Sequence, residues 1–120
     1  MKTTEVRLHL AGLAPKAARA VKAAIAYAEK NQTQREQSMS LPEFCDLVGL
    51  PTTTPRTNLV TLVSKARRAT ASARVVDDST GKKKELLTGS WAVFNSVFIT
   101  GTSITFEVCP YMWQDLTTHV

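Results

Sequence analysis

The sequence predicts an α+β fold of the winged-helix kind: a helix-turn-helix followed by a C-terminal β-hairpin wing. Three observations predict it. Apolar residues recur at spacings of three and four in three separate stretches before residue 75. The middle stretch is short, capped at its start and stopped by Gly49, which leaves a tight turn before the third. After Arg74 the periodicity changes from helical to alternating, and β-forming residues take over.

Each element has its own justification. Residues 1–13 open with Val6, Leu8 and Leu10 alternating with charged or polar neighbours, the period of a short strand or extended arm. In the first helix Pro15 suits the first position, and Ala17, Val21, Ala24, Ile25 and Ala28 form one stripe. Lys16, Arg19 and Lys22 form a row on another side, which reads most simply as a hydrated face. The polar stretch from Asn31 to Ser38 reads as an exposed loop.

Ser40-Leu41-Pro42-Glu43 announces the second helix through a capping box, with Leu41, Phe44, Cys45 and Val48 turned inward. Pro51 and Pro55 then disfavour continued helix. A third helix is expected from Pro55 or Arg56 to about Arg74, with Leu59, Leu62, Val63, Ala66, Ala69 and Ala73 on one stripe. The helices thus occupy 14–74 and a β-hairpin is expected over 75–109, with a bulge or kink at Asn95-Ser96. Residues 110–120 read as the start of a further helix. The whole chain, 1–120, reads as one winged-helix domain without internal repeat or linker.

Composition narrows the function. At 120 residues, 43% hydrophobic and 21% charged, the chain is an ordinary globular domain. It has no apolar run of the roughly 20 residues that span a bilayer, and no basic-then-apolar leader, so no membrane partner is expected and a cytoplasmic location is. Cys45, Cys109, His9 and His119 are too scattered for a zinc site, and no metal or cofactor is expected. Cys45 reads as a small buried hydrophobe rather than half of a disulfide with Cys109. Phosphate-loop, H-E-x-x-H and G-x-S-x-G motifs are absent, so neither an enzyme nor a small-molecule substrate is expected.

Charge points elsewhere. Fifteen Lys and Arg against ten Asp and Glu leave +5, which makes a polyanion the first partner to consider. The third helix would show Arg56, Thr57, Thr61, Ser64, Lys65, Arg67 and Arg68 to solvent, and Lys82, Lys83 and Lys84 would stand near the wing tip. Hydroxyls bond phosphates or base edges and cations attract the backbone, so these ten residues are the candidate contacts to double-stranded DNA. Four to six neutralised phosphates would give a log–log salt slope of about −4 to −5.

Two other readings stay open. Trp91, Phe94, Phe98, Phe106 and Trp113, with Tyr111, crowd the C-terminal third and would form a dimer or partner surface if one helical layer leaves them bare. An RNA-associated role would call for aromatics interleaved with cations, whereas Trp91–Val108 contains no Lys or Arg.

From about Ser38 to Leu116 the chain resembles the N-terminal winged-helix domain of Rep-type plasmid replication initiators. The resemblance lies in Leu41-Pro42-Glu43-Phe44-Cys45-Asp46-Leu47-Val48-Gly49-Leu50, in Ser64-Lys65-Ala66-Arg67-Arg68, in Gly89-Ser90-Trp91-Ala92-Val93-Phe94, and in Ile104 to Tyr111. It implies binding to repeated origin DNA, a part in replication initiation, and a share in dimerisation. It also implies a second winged helix, which would begin about where this sequence ends at Val120. The chain then reads either as a piece or shortened relative of an initiator, or as a stand-alone regulator.

Overall fold

The computed structural model describes residues 1–120. The N-terminal alternation forms β1 (Lys2–His9), and the first helical stripe forms α1 (Pro15–Lys30), with Ala17, Ala20, Val21, Ala24 and Ala28 buried. Small residues on this face let α1 lie close against its neighbours. A short strand, β2 (Gln37–Ser40), leads directly into α2 (Leu41–Val48). Ser40 Oγ accepts the Glu43 N–H at 3.2 Å, and its hydroxyl donates to the Glu43 carboxylate at 3.0 Å. At the other end Gly49 takes φ +78°, the left-handed conformation glycine adopts without strain. That lets the Leu50 N–H close back onto the Cys45 carbonyl at 2.8 Å.

The third helix, α3 (Arg56–Ala66), is eight residues shorter than the expected run to Arg74. Arg67 and Arg68 leave the helix, and β3 (Thr70–Asp77) takes over. From Arg68 to Val75 exposed or half-exposed residues alternate with buried ones, Ala69, Ala71, Ala73 and Val75 pointing inward. Ala69 and Ala73 therefore belong to a strand. The expected single hairpin is also two hairpins. β4 (Lys84–Ala92) pairs with β3, while β5 (Phe94–Thr100) pairs with β6 (Ser103–Val108). The fold is thus a mixed α+β domain with three helices and two antiparallel sheets, ordered β1-β3-β4 and β2-β6-β5.

Two further corrections concern polar segments. Gln37 and Ser38, expected in a loop, sit in β2, where the buried Gln37 amide donates to the Asn31 and Gln34 carbonyls at 3.1 and 3.0 Å. Residues 110–120 form two short 3-10 turns, Pro110–Met112 and Leu116–His119. The bulge at Asn95-Ser96 is present: the β5–β6 register shifts between Phe94 and Ser96.

The three helices and the inner face of β2-β6-β5 share one core of nineteen buried residues, including Phe106, Leu59, Ile104, Val21 and Val93. The other sheet has a core of only three: Ala73, Val75 and Leu116. Leu116 arrives from the C-terminal segment, which lies on the apolar face of β1-β3-β4. Its backbone N–H bonds Thr4 Oγ1 at 3.1 Å, and the Thr4 hydroxyl in turn donates to Asp115 at 2.9 Å.

The sheets meet at Val93, which is fully buried. Its N–H bonds the Ala69 carbonyl at 3.1 Å and its carbonyl accepts the Cys109 N–H at 2.7 Å, so one long strand changes partners there. The result is elongated. The radius of gyration is 16.5 Å, against about 14 Å for a rounded chain of this length. Cys45 and Cys109 are buried and unbridged, and no helix is long and apolar enough to cross a membrane.

Candidate nucleic-acid interface

α3 buries Leu59, Leu62 and Ala66 against α1, and that orientation leaves Arg56, Thr57, Asn58, Val60, Thr61, Ser64 and Lys65 exposed. Arg67 caps the helix, its N–H bonding the Val63 carbonyl at 3.0 Å, and both Arg67 and Arg68 face solvent just beyond it. Lys65, Arg67 and Arg68 therefore stand at the negative end of the helix dipole, which favours cations. No Asp or Glu occurs from Leu47 to Val76, and none of Arg56, Lys65, Arg67 and Arg68 is in an ion pair. Their charge is uncompensated locally.

The hydroxyls differ in availability. Thr61 donates to the Thr57 carbonyl at 3.0 Å, so its oxygen can still accept but its proton is committed. Ser64 and Thr57 make no side-chain hydrogen bond and keep both capacities.

Tertiary packing adds residues that sequence reasoning did not bring to the site. A polar groove runs between the start of α1 and the outer side of α3, lined among others by Lys16, Thr53, Thr54, Asn58, Thr61 and Lys65. Lys16 belonged to a row read as a hydrated face; here it borders the same groove as Lys65. Nothing local links residues 16 and 65. Val60 is different: 41% exposed, it lies one helical step off the buried stripe, so its position was readable from the 3.6-residue period.

Lys82, Lys83 and Lys84 stand apart. Lys82 and Lys83 lie in the turn joining β3 and β4 and Lys84 opens β4, at the far end of a strand of eight residues about 26 Å long. They stand at one end of the β1-β3-β4 sheet; the expectation had them near a wing tip, within reach of an adjacent phosphate.

The five aromatics expected on a partner surface do not share one. Phe106 is in the core, 1% exposed, with Phe94 edge-on to it at 6.2 Å. Trp91 is half-buried on the other sheet against Tyr111 at 5.4 Å, and Trp113 packs partly on the main core. Phe98 alone projects, 62% exposed, from β5.

Charge pairs elsewhere fix the scaffold. Arg74 donates to Glu5 across β1 and β3 at 2.7 Å, and the guanidinium holds that carboxyl below its ordinary range. Arg35 pairs with the largely buried Glu107. Asp77 accepts the Ser79 N–H at the head of the lysine turn, which lowers its pKa to about 2. Asp115 is lowered likewise, first by the Thr117 N–H and then by the Thr117 and Thr4 hydroxyls.

No protein-family model matches the chain, and no curated protein matches it. Among solved structures it is similar to domains 2 and 3 of RctB, with a TM-score of 0.55 and 7% identity, over 98% of this chain and 54% of that one. The chain thus spans about half the length of that neighbour, and the likeness is one of fold.

Proposed function

We propose that the chain is a winged-helix domain that binds double-stranded DNA through α3 and its exit, in the manner of one domain of a replication initiator. The observation that carries the reading is the exposed face of α3, where cations without acidic partners alternate with hydroxyls. The succession α1-β2-α2-α3-β5-β6, with its sheet ordered β2-β6-β5, supports the winged-helix part. In this reading β5–β6 is the wing, and the β3–β4 hairpin is an insertion between the third helix and the wing. The fold likeness to domains 2 and 3 of RctB supports the α+β architecture of this reading, and the resemblance over Ser38–Leu116 supplies its replication-initiator part.

Chemically, α3 would lie in a major groove about 12 Å wide. Ser64, Thr57 and the Thr61 oxygen would meet base edges or phosphates, and Val60 would lie against apolar base surface such as a thymine methyl. Arg56, Lys65, Arg67 and Arg68 would neutralise the backbone on either side, with Lys16 across the groove from Lys65.

The test is duplex affinity across a salt series for the double variant Lys65→Ala/Arg68→Ala, whose sites are exposed and whose folding should be intact. Binding about tenfold weaker at low salt, with a log–log slope shallower by about two, is expected. Affinity and slope equal to the parent would overturn the reading.

A further inference from the structure

We infer that the solvent face of the β1-β3-β4 sheet is a second contact surface for the DNA backbone, continuing from the exit of α3 toward the lysine turn. The inference rests on the reading of α3 given above and extends it to a surface with no part in that reading.

Its basis is the register. The burial alternation along β3 starts at Arg68, before the strand proper, because the Ala69 carbonyl already pairs with Val93. Thr70, Ser72 and Arg74 share one face, with successive side chains about 7 Å apart, and the exposed Arg68 stands in the turn that leads into it. Across the sheet Arg7 stands opposite Ser72, and Ser72 opposite Ser90. The row begins just past Arg68, a residue of the α3 site, and leads away from it along the body of the protein.

The chemistry of that face selects a backbone. Its acids are Glu5 and Glu85: Glu5 is engaged by Arg74 at 2.7 Å, and Glu85 lies close enough to act on the same guanidinium. Arg74 is thereby held as a scaffold residue, while Arg7 and Arg68 have no carboxylate partner. Lys83 stands near enough to Glu5 to influence it, so the positive field continues to the turn. His9 shares the face and is hydrogen-bonded to the Ser72 hydroxyl at 2.7 Å, while Thr70, Thr88 and Ser90 carry hydroxyls that can donate to phosphate oxygens. The face presents no Phe, Trp or Tyr, whereas single-strand binders stack bases on such rings. From Thr70 to Arg74 the strand runs about 13 Å, roughly four base pairs of rise.

The opposite face of the same sheet is closed by Leu116 and the C-terminal segment. One side of this thin sheet is thus partly covered by protein, and the other is open to solvent, where Arg7 has no carboxylate partner.

The experiment uses the full chain and two duplexes: one long enough for α3 alone, one extended by about ten base pairs on each side. Arg7→Glu and Ser90→Glu are compared with the parent, after melting curves confirm folding. Both variants should bind the longer duplex with a salt slope shallower by about one, and bind the shorter one as the parent does. Should Arg7→Glu fail to fold, Ser90→Glu decides alone. If both bind the longer duplex as the parent does while Lys65→Ala/Arg68→Ala weakens both duplexes, this inference falls and the α3 reading stands. A parent that holds neither duplex overturns both. A parent that prefers a single-stranded oligonucleotide, with the preference lost in Arg7→Glu, overturns the backbone assignment.

Discussion

The helical half, with its sheet β2-β6-β5, holds about twice the regular structure of the β1-β3-β4 half, and the two solve burial differently. The helical half folds three helices over one face of a sheet, and residues such as Phe106 and Leu59 meet neighbours from several directions. The other half is a single sheet, and its apolar side would lie bare without Leu116 and the 3-10 turns of the C-terminal segment. Two layers are needed to bury a hydrophobic face. In one half α1 is that layer; in the other it is the last few residues of the chain. Stability should therefore be distributed unevenly, and the cationic exit of α3 sits where a firm region joins a weaker one.

The comparison is broken most directly at the firm end. Phe106→Ala removes a side chain 1% exposed, and should cost about 3–5 kcal/mol in denaturant unfolding and lower amide protection in both halves. Equal protection in the variant and the parent would mean that the helical core is not the keystone assumed here.

Leu116→Ala is the matching change in the thin half. It should cost about 2–3 kcal/mol, with amide exchange accelerated in β1, β3 and β4 and unchanged in α1. Acceleration spread evenly over the molecule would show a single cooperative unit and erase the distinction.

The smallest effect is acid-induced. Asp77 and Asp115 both have depressed pKa values in the folded chain, so what they contribute is present above the ordinary Asp range near 3.9. It is lost as pH falls, for Asp77 through about 2. Amide shifts of Ser79 and Thr117 should move on acidification below about pH 4, before those of the helices. Helical shifts that move first would reverse the order of stability proposed for the two halves.

Legibility in the sequence follows from how local each signal is. The Ser40 cap, the Gly49 stop, the α1 stripe, the β1 alternation and the bulge after Phe94 are settled within a few residues, and all are found. The end of α3 is not settled that way. Ala66, Ala69 and Ala73 fit a helical stripe, while Ala69, Ala71, Ala73 and Val75 fit a strand equally well, and alanine prefers the helix. The strand forms because β1 and β4 arrive on either side, which no window around residue 70 reveals. For the same reason nothing local links Lys16 to Lys65, and the single hairpin expected over 75–109 is two. Exposure of Thr61, Ser64 and Arg68 was foreseeable from the period; the groove that Thr61 shares with Lys16 and Lys65 was not.

Val93 gives the arrangement a mechanical meaning. Four stretches of backbone join the two halves, residues 10–14, the Arg67–Ala69 exit, Val93 and the segment from Cys109, and Val93 ties two of the others together. With its amide fastened to Ala69 and its carbonyl to Cys109, Val93 acts as a rivet through both sheets. The spacing between the helix and the distant lysines is thereby set like the jaws of a caliper.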